Sequence, residues 1–216
     1  MIICDLETTG VNVFDAEIIT GHFLSVNPLT FEIVGEFELK CNPFKWSYEA
    51  QEIHGITKEQ AATYKKFNEV YAGLIDWLSC QDAKEFWCHS RVKMYGKLTF
   101  FDYAVLRLRM MEMGDAPYFE IERLRPFSSH SLASVMGADF GFEKFSLDYL
   151  CKALKIKLNH HDAKSDTYAC YELIKKLLPM TSREALTTFE RGEHDEDGQR
   201  VSKRNRYESS GLQSFA

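Results

Sequence analysis

The residues that first suggest chemistry stand at the front of the chain, in Ile2-Ile3-Cys4-Asp5-Leu6-Glu7-Thr8-Thr9-Gly10. The stretch reads as a strand. Positions i and i+2 of a strand share a face, so Asp5 and Glu7 aim their carboxylates at one spot while Leu6 points away. Thr-Thr-Gly then turns the chain. Two carboxylates on one strand face suit a hard divalent cation such as Mg²⁺ or Mn²⁺. Alone, so short a pattern fits a solvated edge as well. Three further positions extend the set: Asp102 opens a helix after Phe100 and Phe101, and His161 and Asp166 stand at the entrance of a long amphipathic helix. His160 is the neighbouring candidate, six rather than five positions before Asp166. Asp162 reads as a helix cap rather than a further ligand.

Stepping out from these residues, the chain supplies the elements that must position them. Residues 15–26 and 31–41 read as two further strands, closed by Asn27-Pro28 and Asn42-Pro43, and with the first they form an antiparallel meander. Helical signals follow: a turn from Ser47, a helix capped by Thr57, and apolar residues at helical spacing from Phe67 to Leu78. Residues 85–90 read as a short buried strand and Ile121 to Pro126 as a last edge strand. Ser131 to Gly137 and Ser146 to Leu154 read as two helices opened by serine caps. Ala163 to Leu178 is an amphipathic helix stopped by Pro179. The fold class is α/β, with a mixed central sheet of an antiparallel meander plus parallel strands, flanked by helices.

Composition narrows the function classes. At 216 residues, 45% hydrophobic and 27% charged, the chain holds one ordinary core. A net charge of −6 argues against binding duplex nucleic acid mainly by electrostatics. It does not argue against an acidic site that carries cations. The six cysteines form no C-x-x-C pair and read as reduced, mostly buried thiols. No apolar run approaches a membrane span and no leader precedes the first strand, so a soluble, cytoplasmic protein without a membrane partner is expected. Apolar periodicity ends near Thr181. The expected division is a domain over 1–180 and a polar, mobile tail over 181–216, whose basic piece Arg200 to Arg206 reads as a solvated segment.

In order along the chain, D-x-E-T-T-G at Asp5–Gly10, I-H-G-I-T at Ile53–Thr57, the Phe101-Asp102 pair, the S-L-D-x-L-C run from Ser146, and a histidine five before Asp166 make a composite pattern. It resembles the DnaQ-like, or DEDDh, 3′→5′ exonucleases, whose members include the proofreading epsilon subunit of bacterial replicases, ribonuclease T and oligoribonuclease. The resemblance implies a ribonuclease H-like fold. It also implies two divalent cations, Mg²⁺ or Mn²⁺, held by Asp5, Glu7, Asp102 and Asp166, with His161 as general base. Thr8, Thr9, Ile53 and His54 match the pocket for the terminal nucleotide, and Phe101 is a candidate for stacking on a base. The implied activity is hydrolysis from single-stranded or frayed 3′ ends of DNA. An exoribonuclease, or a catalytically silent binding module, is the alternative. A proofreading role would need a polymerase or other replication or repair partner. One departure stands out: Arg91 to Lys97 intervene between His89 and Asp102 where many members are shorter, and Arg91, Lys93 and Lys97 could touch the substrate strand.

Overall fold

The computed structural model describes residues 1–94, 97–181, 183 and 185–187. Strands β1 (Ile2–Thr8), β2 (Ile18–Val26) and β3 (Ile33–Lys40) form the antiparallel meander. Three helices follow, α1 (Tyr48–His54), α2 (Lys58–Ala61) and α3 (Phe67–Ser79), and then strand β4 (Glu85–Cys88), which joins β1 in parallel. A hairpin of β5 (Arg91–Met94) and β6 (Lys97–Phe100) precedes α4 (Phe101–Met113) and α5 (Asp115–Glu122). Strand β7 (Arg125–Ser128) lies parallel to β4 and completes a five-stranded sheet of order β3-β2-β1-β4-β7. Helices α6 (Ser129–Val135), α7 (Gly137–Phe140), α8 (Leu147–Leu154) and α9 (Ala163–Leu177) close the described chain, the last running into a 3-10 turn over Leu178–Met180. None of the described helices is long and apolar enough to cross a membrane.

Strand alternation decides which helix meets which acid. Ile2, Cys4 and Leu6 of β1 pack into one core with residues of α3 and α4. Met1 and Ile3 pack into a second core on the opposite face with α6, α8 and α9. Asp5 and Glu7 continue the Ile3 face, so they point toward α9. Close pairing at the sheet centre requires a glycine: a Cβ on Gly21 of β2, the register partner of Leu6, would lie 2.6 Å from Leu6 Cδ2.

Local signals set the helix starts. Ser47 and Ser146 accept from the backbone N–H of Ala50 and Tyr149, Thr57 and Gln60 form a reciprocal capping box, and Asp162 accepts from Ser165 N–H. Two expected boundaries move. Ile121 and Leu124, both buried, are three apart, a helical spacing, so Ile121 belongs to α5 and the edge strand begins only at Arg125. The α6 cap is Ser128 rather than Ser131: its hydroxyl accepts from the His130 and Ser131 amides.

The inserted stretch is a paired hairpin rather than an open loop. Arg91 pairs with Phe100, and Phe101 N–H donates to Ser90 O at 3.0 Å, so the hairpin leaves and returns at one place and α4 still starts beside β4. All six cysteines are free thiols, five of them buried. After α9 the chain remains on the core: Leu186 is fully buried, Arg183 pairs with Glu85, and Arg125 donates to Thr187 Oγ1 at 2.6 Å. The segment 188–216, with Arg200 to Arg206, lies outside the described residues.

Candidate active site

Three elements converge on the end of β1. The carboxylates of Asp5 and Glu7 from β1 and Asp166 from the first turn of α9 offer oxygens that all lie within 4.8 Å of one another. Asp102, in the first turn of α4, comes from the other side of the strand: Leu6 N–H, between the two β1 acids, donates to its Oδ1 at 3.1 Å. That backbone amide is invisible to any side-chain motif, yet it fixes the fourth carboxylate. The Cys88 thiol, at the end of β4, also hydrogen-bonds Asp102. The other aspartates along the chain from α3 to α5, Asp76, Asp82 and Asp115, are all exposed, so none of them offers a buried alternative to Asp102.

The four acids disturb one another. Burial, then the charges of Asp102, Asp166 and Glu7, raise the Asp5 pKa well above the usual carboxylate range. Burial followed by Asp166 and Asp102 pushes Glu7 up to about 7. Burial pushes Asp102 up to about 6 against hydrogen bonds from its own amide, Leu6 N–H and the Cys88 thiol. Asp166 is raised by burial, an effect partly offset by His160 and His161. Among the described residues, no lysine or arginine pairs with any of the four. Asp102 Oδ2 and Asp166 Oδ1 are buried without a hydrogen-bond partner. Orphaned, mutually repelling carboxylate oxygens are what a divalent cation neutralises, and this donor set fits a hard, oxygen-binding ion.

The two histidines divide their contacts with Asp166. His160 Nδ1 lies 3.1 Å from Asp166 Oδ2, whereas His161 donates its backbone N–H to the same oxygen at 3.2 Å. Their rings stack with centroids 3.9 Å apart. His161 adopts a left-handed backbone, φ 65°, and its ring nitrogens have no hydrogen-bond partner among the described residues. Burial and then His160 lower its pKa, which favours the neutral ring. His89 takes no part: buried against Ser129 Oγ (2.9 Å) and Phe145 O (3.1 Å), its pKa is pushed down by burial to about 3.

A family model described as exonuclease, RNase_T, matches residues 2–174. The chain belongs to this exonuclease family. Its mixed sheet, flanked by helices, is the ribonuclease H-like fold of that family. A structure of E. coli exonuclease I with a dT13 oligonucleotide superposes with a TM-score of 0.69 at 19% identity, over 91% of this chain and 44% of that one. The zinc-bound form of the E. coli exonuclease I–ssDNA complex gives 0.69 at 19% identity, over 89% and 43%. Exonuclease X in complex with 5′-overhanging duplex DNA gives 0.60 at 19% identity, over 88% and 98%. The chain thus spans less than half the length of the exonuclease I chains it resembles. No curated protein sequence matches it. The family is divalent-metal-dependent, and the cluster of four acids agrees with that dependence.

The expected substrate contacts are positioned unevenly. Thr8 Oγ1 donates to Gly10 O at 2.8 Å, and Thr9 is bonded to Glu17 through both its N–H and its hydroxyl, so these side chains brace the turn after β1. Ile53 is 55% exposed on α1, beside Gly55, whose φ of 72° ends the helix. His54 Nδ1 accepts from Ile56 N–H at 3.0 Å, which puts its proton on Nε2, a buried atom without a partner. Phe100 and Phe101 both pack partly against the α4 core. Arg91 donates to Ser131 Oγ at 3.3 Å, Lys93 is exposed, and the Lys97 side chain lies outside the described residues. Sequence reasoning missed Glu17, whose carboxylate accepts from Phe44 N–H at 2.5 Å and Lys45 N–H at 3.2 Å, tying the α1 approach to the Thr9 turn. No motif spacing marks it.

Proposed function

We propose that this chain is a DEDDh 3′→5′ exonuclease that trims single-stranded or frayed 3′ ends of DNA by metal-assisted hydrolysis. The observation that carries the reading is the cluster of Asp5, Glu7 and Asp166 oxygens within 4.8 Å, joined by Asp102 and lacking any lysine or arginine partner among the described residues. Two divalent cations, Mg²⁺ or Mn²⁺, would be held by these four residues and supply water activation and charge stabilisation at the leaving 3′ oxygen. His161, its pKa lowered toward the neutral ring and its ring nitrogens without a partner among the described residues, takes the proton of the attacking water. His160 holds Asp166 in place through its Nδ1 contact. The exposed Ile53 side chain offers an apolar surface for the terminal base, and the neighbouring His54 Nε2–H is a buried donor without a partner among the described residues. Related exonucleases bound to a dT13 oligonucleotide and to overhanging duplex DNA favour DNA over RNA as the substrate.

The test is degradation of end-labelled single-stranded DNA and RNA of matched sequence, with Mg²⁺, Mn²⁺ or EDTA. Metal-dependent shortening from the 3′ end, faster on DNA, is expected. Shortening from the 5′ end, or none with binding retained, would sink the proposal.

A further inference from the structure

A second charged feature begins beside the histidines and runs away from them. Ser165, Tyr168, Glu172 and Lys176 recur at spacings of three and four, so they form one stripe of α9. From Ser165 to Lys176 the stripe extends about 16 Å at 1.5 Å per residue. The facing wall is the link from α8 to α9, which contributes Lys155, Lys157 and Asn159. Between them lies a groove of about 410 Å³. Its end is anchored at the candidate site: Asn159 N–H donates to Ser165 Oγ at 2.7 Å, and His160 and His161 are the next residues along the link.

The groove carries three ammonium groups against one carboxylate, Glu172, in a chain whose net charge is −6. None of the three ammonium groups has a partner among the described residues. Other lysines of this region are engaged, Lys152 with Asp148, Lys164 with Glu36 and Lys175 with the Tyr171 hydroxyl. Lys155 also sits at the end of α8 with φ 55°, a left-handed position where glycine is the usual residue. A lysine in that strained place, without a partner among the described residues and lining one groove with two more, is a site for anions on a protein of net negative charge.

We propose that this groove holds the phosphodiester backbone of the strand being trimmed, beyond the bond at the carboxylates, so that the protein favours strands longer than a dinucleotide. The inference rests on the exonuclease reading of the neighbouring site. Continuity with the histidine loop and charge complementarity favour a nucleic-acid strand as occupant. Because phosphates rather than sugars are recognised, DNA and RNA strands should both feel it.

The test compares wild type with the triple variant Lys155→Gln/Lys157→Gln/Lys176→Gln on DNA and RNA 20-mers and on a dinucleotide, across a salt series. The triple variant should raise KM for the 20-mers about tenfold and make the salt dependence shallower by about 2 in log–log slope, at roughly 0.7 per phosphate contact. Turnover of the dinucleotide should stay within about twofold, since three phosphate contacts lie beyond its reach. Lys155→Gly, which suits the left-handed backbone, should reproduce part of the KM effect with no loss of Tm. An unchanged 20-mer KM, or equal loss on dinucleotide and 20-mer, would overturn the groove assignment while leaving the exonuclease reading intact. An acidic peptide that loses affinity in the triple variant while the 20-mers do not would overturn it in favour of a protein partner. A wild type inactive on every substrate would remove both proposals.

Discussion

Two clusters of ionisable groups meet the first half of α9, and they are built in opposite ways. On one side Asp5, Glu7, Asp102 and Asp166 cluster with no lysine or arginine partner among the described residues, and their pKa values all rise. On the other side Glu36 of β3 accepts from Lys164, and from Tyr168 at 3.3 Å, and lies 2.8 Å from His22 Nε2. Lys164, then His22, pull its pKa down to about 2. The second cluster has already found its cations within the chain, and it ties β2 and β3 to α9. The first has not, and its electrostatic balance needs cations from outside. A strained acid cluster beside a satisfied one separates binding chemistry from fold-holding chemistry within a few residues of α9.

That contrast breaks most sharply in catalysis. Asp5→Ala and Asp166→Ala are expected to lower kcat/KM by at least about 10³-fold, more than the loss of a supporting residue around a metal site costs. Glu36→Gln should leave the rate within about twofold and lower Tm by a few degrees at most, as for a largely exposed ion pair. Steady-state kinetics beside thermal melts decide it, and equal rate losses in the two clusters would erase the distinction.

The histidines give the next largest effect. His161→Ala should cost about 10²–10⁴ in kcat, the usual contribution of a general base, with the apparent affinity for Mn²⁺ nearly kept. His160→Ala should act through Asp166, raising the metal concentration needed for half-maximal rate about 10-fold or more. Metal titrations of both variants separate the roles. The opposite assignment follows if His160→Ala shows the larger kcat loss at saturating metal.

The smallest effect concerns stability. The folded pKa of Asp102, about 6, lies above the ordinary aspartate value of about 3.9. The folded state therefore binds the proton more tightly, and metal-free stability falls as pH rises through that window. Asp102→Asn removes this loss and can keep the Leu6 N–H bond. In EDTA its Tm advantage over wild type should grow from pH 4.5 to pH 7, by roughly 2–4 °C per kcal/mol for a chain of this size. Mg²⁺ should reverse the ranking at pH 7. A Tm difference that does not change with pH would show that Asp102 is not held near its neutral form.

Much of this arrangement was legible in the sequence because it rests on local periodicity. Two acids at i and i+2 in a strand share a face whatever surrounds them, and the caps at Ser47, Thr57, Ser146 and Asp162 act within three residues. The errors arose where tertiary context outweighed local pattern. Ile121 to Pro126 has strand-like composition, but burial at helical spacing keeps Ile121 in α5. The 91–97 insertion alternates Arg91, Val92, Lys93 and Met94 too briefly to mark a strand on its own, yet cross-strand pairing folds it back beside Ser90.

The sequence by itself determined the residue types and their order: the strand acids, the acid opening α4, the histidine pair and the acid of α9. Those features depend on neighbours one to five residues away. Only the tertiary structure decided that Leu6 N–H holds Asp102, that His160 rather than His161 turns its ring to Asp166, and that Glu36 is satisfied while Glu7 is not. Each of these is set by which long-range partner reaches a group first, and a backbone amide or a lysine of α9 announces no such choice in the linear chain.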